Sequence, residues 1–261
     1  TLRIGNQLQN PVIKPVMKNQ MKTLFTVFTL GLSVSLAPAQ EGGAPARGPG
    51  GPGGPGGRRA VDQGALTFTS KMVPKNDREK EVLAVIDDMD RTQRRGSMSV
   101  PVDDGRFLRA LAEATGAKHV VEIGTSIGFS GIWFGLALES TGGKLTTFEI
   151  DAQRAATARA NFKRAGVDKL ITLMEGDAHQ RVSEIKDSID ILFLDADKEG
   201  YLDYLNKLLP KLRPGGLVIA HNINQRQADP KFIEAITTQR ELETLFLNVG
   251  TSDISVSLKK R

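Results

Sequence analysis

"KHVVEIGTSIGFSG", residues 118–131, is a short apolar run that breaks on glycine and restarts with helical character. A run of four to eight apolar residues closed by a turn signal reads as a strand buried on both faces. The same figure recurs in "KLTTFEI" (144–150), "LITLMEG" (170–176), "IDILFLD" (189–195) and "GGLVIAH" (215–221). Helices are expected near residues 130–140, 151–165, 178–186, 200–212 and 230–241. Strands alternating with helices predict a doubly wound α/β sheet of about seven strands, mostly parallel, with helices on both faces. "ETLFLNV" and "DISVSLKK", joined by Gly250-Thr251-Ser252, predict a closing antiparallel hairpin at the sheet edge.

Upstream, "NDREKEVLAVIDDMDRTQRRG" places Val82, Val85, Ile86 and Met89 at helical spacing, with Asn76 or Asp77 as cap and Gly96 as stop. "VDDGRFLRALAEATG" reads as a second helix ending at Gly116. The folded domain is therefore expected over residues 71–261. Residues 1–40 form an N-terminal extension. Within it, Lys18 and Lys22, an apolar run over 23–36 and the small-x-small site Ala37-Pro38-Ala39 have the order of a signal peptide. Such a segment predicts export; without it the protein would be cytoplasmic. The apolar run is shorter than the roughly 20 residues of a membrane span, so no stable span is expected after cleavage. Residues 41–70 contain "EGGAPARGPGGPGGPGGRR", too poor in side chains to offset its ordering entropy, and read as a flexible tether.

The net charge of +5 is carried by the first sixty residues, where Arg3, Lys14, Lys18, Lys22, Arg47, Arg58 and Arg59 face Glu41 alone. The body is nearly neutral and has no basic stripe, so no nucleic-acid partner is expected. The chain has no cysteine, which excludes thiolate nucleophiles and Cys-type zinc sites.

In parallel sheets, ligands bind at the carboxyl ends of the strands. Gly124 and Gly128 let the first turn approach a ligand closely, although their spacing is not the dinucleotide fingerprint G-x-G-x-x-G. Glu149 ends the second strand about 25 residues after Gly124, the position of a carboxylate that holds ribose hydroxyls. Asp177 ends the third and reads equally as a contact to the exocyclic amine of a purine or as a helix cap. Asp195, Asp197 and Lys198 follow the fourth; a charge so close to apolar packing is costly without a partner. His221 and Asn222 end the fifth. If these last two strands are neighbours, carboxylate, imidazole and amide share one mouth, a plausible divalent-cation site. His119 lies at the opposite end of the sheet and reads as structural, as do Trp133 and Phe134 as core.

From Ser99 onward the chain resembles the cation-dependent class I S-adenosylmethionine O-methyltransferases, the group of catechol and caffeoyl-CoA O-methyltransferases. "MSVPVDDGRFLRAL", "VVEIGTSIGFS", "TTFEID", "MEGDA", "IDILFLDADKEGYLDYL" and "LLPKLRPGGLVIAHN" carry the resemblance in order. It implies a Rossmann-like sheet, S-adenosylmethionine as cofactor, a small hydroxylated acceptor and a homodimer. It further implies that Glu122, Gly124, Thr125 and Ser130 hold the methionine moiety, that Val100 closes over the cofactor, and that Glu149 binds the ribose. Asp177 and Ala178 would line the adenine, Lys198 would deprotonate the acceptor, and Asp195 would touch both cofactor and metal. Asp195, His221 and Asn222 would be the metal ligands. The departure is His221, where the family pattern has Asp. Three outcomes stay open: a metal of softer preference, a metal-free site using His221, or a site that binds cofactor without catalysis. The third corresponds to an exported binding module. A nicotinamide-dependent oxidoreductase is disfavoured by the missing glycine fingerprint.

Overall fold

The computed structural model describes residues 70–249 and 252–261. The expected signal segment and nearly all of the tether lie outside them. Two helices come first, α1 (Asp77–Thr92) and α2 (Val102–Ala114). The alternating part follows as β1 (His119–Ile123), α3 (Phe129–Thr141), β2 (Lys144–Glu149), α4 (Ala152–Ala165), β3 (Ile171–Glu175), α5 (Ala178–Arg181), β4 (Ile189–Leu194), α6 (Tyr201–Leu208), β5 (Leu212–His221) and α7 (Pro230–Thr238). The chain closes with β6 (Leu242–Val249) and β7 (Ser252–Lys259).

The seven strands form one sheet in the order β3-β2-β1-β4-β5-β7-β6. The first five are parallel, and β7 runs antiparallel to both β5 and β6. Successive residues of a strand point to opposite faces. Val120, Ile191, Phe193, Leu217 and Ile219 pack with α1–α4, whereas Val121, Leu192, Leu194, Val218 and Ala220 pack with α6 and α7. Both faces are apolar, which is why the strands read as unbroken hydrophobic runs. Among the described residues no helix is long and apolar enough to cross a membrane.

Several expected boundaries move: α1 ends at Thr92, short of the expected stop at Gly96, and α7 ends at Thr238 rather than 241. The helix expected at 178–186 is one turn, continued by a 3-10 turn over Val182–Glu184. The helix expected at 200–212 stops at Leu208 and becomes a 3-10 turn containing Pro210, which has no N–H to continue the ladder. β5 starts at Leu212 rather than at Gly215, with a shift in its pairing to β4 between Ile189 and Ile191. The hairpin forms as expected, but its second strand, β7, lies against β5 and leaves β6 at the edge.

Candidate functional site

The order β2-β1-β4-β5 brings four strand ends to one side of the sheet, and the expected residues gather there. Gly124 follows β1 with φ 104, and a Cβ on it would lie 2.2 Å from the Asp195 carbonyl oxygen. Only glycine lets these two strand ends come so close. After it, Ser126 also has a positive φ (49), and its buried hydroxyl has no hydrogen-bond partner among the described residues.

Glu122 is fully buried in β1. Ser130 Oγ and Thr147 Oγ1 each donate to it at 2.6 Å, and Thr125 Oγ1 lies 2.6 Å from Thr147 Oγ1. Burial pushes the Glu122 carboxyl up to about 7, against the pull of those two hydroxyls. At the end of β2, Glu149 is 5% exposed. Its Oε2 accepts from the Ser126 N–H at 2.7 Å, and its Oε1 from the Asp151 N–H at 3.0 Å and Arg154 Nε at 3.1 Å. Asp177 caps α5 through the His179 N–H at 2.9 Å, so the capping role is present. Ala178 lies beside it against the α6 face of the core. Val100 is buried just before α2. The orphaned Ser126 hydroxyl, the close glycine turn and carboxylates met largely by neutral donors fit a ligand carrying polar and cationic groups.

At the other two strand ends the charges are paired. His221 closes β5 and is 5% exposed. Its Nε2 lies 2.7 Å from Asp104 Oδ2 and its Nδ1 lies 3.1 Å from Asp195 Oδ1. Burial opposes a charge on this ring, but the hydrogen bonds to Asp104 and Asp195 outweigh it and push the imidazole up to about 9. Lys198 Nζ is 3.4 Å from the same Asp195 oxygen and donates to Tyr201 Oη at 2.6 Å. Burial pulls the Lys198 amine below the usual lysine range, against the attraction of Asp195. Asn222 follows His221 with φ 57, a left-handed conformation that asparagine tolerates better than most residues.

Asp104 and Tyr201 had no role in the sequence reading. Asp104 is fully buried, and its Oδ1 has no hydrogen-bond partner among the described residues. It reaches His221 because α2 lies directly on α3: a Cβ on Gly105 would sit 2.1 Å from Trp133 Cδ1. The signal was the helical phase, since Asp104, Leu108 and Ala112 share one buried face. Tyr201 Oη donates to the Leu194 carbonyl at 2.8 Å and lies 3.2 Å from that of His221.

Both ring nitrogens of His221 are engaged by carboxylates, so this arrangement offers a metal no imidazole lone pair. Among the described residues no group of three or more His, Asp or Glu side chains is placed to hold a metal ion. The implied ligand set of Asp195, His221 and Asn222 does not fit a cation here. His119 bonds the Ser188 carbonyl and Thr146 at the far end of the sheet, as a structural residue would. His179 stacks on Tyr204, and Trp133 and Phe134 are core.

A sequence model of the O-methyltransferase family matches residues 74–228, more than half of the chain. The chain is 38% identical over 131 residues to a catechol O-methyltransferase of Niastella koreensis, covering 49% of this chain and 59% of that protein. It is 33% identical over 131 residues to a flavonoid 3',5'-methyltransferase of Vitis vinifera, covering 48% of this chain and 55% of that protein. The matched region thus spans under two thirds of the length of these relatives. Among solved structures, an O-methyltransferase from Bacillus cereus in complex with SAH superposes with a TM-score of 0.57 at 28% identity, covering 72% of this chain and 93% of that one. The chain belongs to the O-methyltransferase family.

Proposed function

We propose that this member of the O-methyltransferase family transfers a methyl group from S-adenosylmethionine to a hydroxyl of a small, catechol-like acceptor. The observation that carries the reading is the Lys198 amine, half-buried beside Asp195 at the end of β4. The Gly124 turn sets that strand end directly against the mouth lined by Glu149. S-adenosylmethionine supplies the methyl group as a sulfonium. Glu149 accepts the ribose hydroxyls, which replace the partly exposed Arg154 on Oε1. The Ser126 hydroxyl and the Glu122–Ser130 pair face the methionine end. Lys198, made less basic by burial, takes the acceptor's proton as the new O–CH3 bond forms and the S–CH3 bond breaks. Most of the acceleration comes from holding oxygen and methyl in line. The bound SAH of the Bacillus cereus protein supports the cofactor assignment. The catechol and flavonoid methyltransferases among the relatives support the acceptor class.

The metal assistance implied by the family resemblance has no place in this reading, because His221 is already engaged on both sides. Two further proposals go with it. Export rests on the leader-like order of residues 17–40, and fractionation of expressing cells tests it. A homodimer is supported by Leu245 and Phe246, exposed at 60% and 50% on the edge strand, and light scattering tests it.

The deciding experiment is transfer of labelled methyl from S-adenosylmethionine to a panel of vicinal diols and single phenols, alongside calorimetric cofactor binding. Turnover on the diols is the expected outcome. Tight cofactor binding without turnover on any acceptor would replace the enzyme with a binding module.

A further inference from the structure

Asp104 and His221 are 117 residues apart in sequence, yet their side chains meet at 2.7 Å with almost no exposure to solvent. A carboxylate only accepts hydrogen bonds, so a ring held between two of them carries hydrogen on both nitrogens. A buried carboxylate is strongly disfavoured unless a cation stands beside it. His221 is the side chain that meets Asp104 in this way, and it is fixed in place. α2 is seated on Trp133 through Gly105, and the imidazole lies edge-on to Phe193 with ring centroids 6.5 Å apart.

We infer that His221, tied to Asp104 and Asp195, is a built-in cation in the place a divalent ion would take, so that the site works without metal. The catalytic half of this statement rests on the methyltransferase reading; the half about metal does not. An ion approaching Asp195 would meet an oxygen that already accepts from His221 and Lys198. An ion approaching His221 would have to remove a hydrogen from Nδ1 and break the bond to Asp195. Asn222 alone would then supply one neutral oxygen, whereas hard cations take several, carboxylates among them. The His221 imidazolium, set between Asp104 and Asp195, already supplies positive charge to both carboxylates where an added dication would. Acceptor orientation then falls to hydrogen bonds rather than to chelation. Single phenols should therefore compete with vicinal diols better than at a chelating site.

The test uses the full chain, stripped with EDTA. Mg²⁺, Mn²⁺ and Zn²⁺ are titrated calorimetrically with and without S-adenosylmethionine, and melting temperatures are read in parallel. The same is done for His221→Asp. The expected result is no saturable metal binding by the unsubstituted chain, with equal cofactor affinity and melting temperature in EDTA and in metal. His221→Asp should gain metal binding and a melting temperature that the ion raises and EDTA lowers. Stoichiometric metal binding by the unsubstituted chain would overturn the inference. So would a folded His221→Asp chain that takes up no ion. If that variant does not fold, the titration of the unsubstituted chain decides. Loss of cofactor binding under all conditions would remove the methyltransferase reading and leave the metal titration still informative.

Discussion

At the ends of β1 and β2, the carboxylates of Glu122 and Glu149 are met mainly by neutral donors, the Ser130 and Thr147 hydroxyls on one and the Ser126 and Asp151 N–H groups on the other, which also pairs with the Arg154 cation. At the end of β4, and where α2 crosses the end of β5, Asp195 and Asp104 are met by His221 and Lys198. Titration behaviour follows. Glu122 is driven toward its uncharged form by burial, whereas His221 is held charged in spite of burial. One half of the crevice meets its carboxylates with hydroxyls, N–H groups and the partly exposed Arg154, and the other with the buried His221 cation. On the proposed function, the same sheet end offers a binding half and a reacting half, distinguished by what already sits on the carboxylates.

The largest effect should come from removing the base. Lys198→Met should lower kcat by about 10²–10⁴-fold while calorimetry shows unchanged cofactor affinity; equal loss of both would erase the division between the halves. Next is the buried pair. His221→Leu leaves Asp104 without its cation and should cost about 3–5 kcal/mol in urea unfolding. The double substitution Asp104→Leu/His221→Leu should recover most of that, because no charge is then stranded. Glu149→Gln removes a charged acceptor and should weaken cofactor binding by about 1.5–3 kcal/mol, with little change in melting temperature.

The smallest effect concerns Glu122. Its folded carboxyl lies at about 7 against 4.5 for an ordinary glutamate. The folded state therefore binds this proton more tightly than the unfolded chain does. The stability it contributes is complete below 4.5 and is lost as pH rises through about 7. Glu122→Gln should flatten that part of the stability profile, as read by melting temperature from pH 4 to 9. An unchanged profile would mean the hydroxyls of Ser130 and Thr147 fully solvate the charge.

Much of this was legible in the chain. "IDILFLD" announces a strand buried on both faces because Ile191 and Phe193 serve one helical layer, and Leu192 and Leu194 the other. That Asp195 and His221 share a mouth followed once β4 and β5 were neighbours, a conditional the sheet satisfies. The seating of β7 beside β5 was not legible, because local pattern says that two strands form a hairpin but not which of them meets the sheet. Asp104 was hidden for another reason. In the first turn of a helix, an aspartate beside Asp103 looks like ordinary favourable charge at the positive end of the helix dipole. Only the helical phase, with Asp103 exposed and Asp104 buried, separates them. Tyr201 was hidden as well, because nothing in an aromatic at the start of a helix shows that its hydroxyl reaches back to two strands.

That hydroxyl sets a dimension. The pairing of β4 with β5 ends at Leu194 and Ala220, beyond which a twisted sheet is free to splay. Tyr201 Oη spans the gap between the Leu194 and His221 carbonyls and takes Lys198 as a third partner. The aperture between the two strand ends is thereby gauged by a side chain from the following helix. Its width and the aim of the lysine are adjusted by one atom, so a phenylalanine there would alter both together.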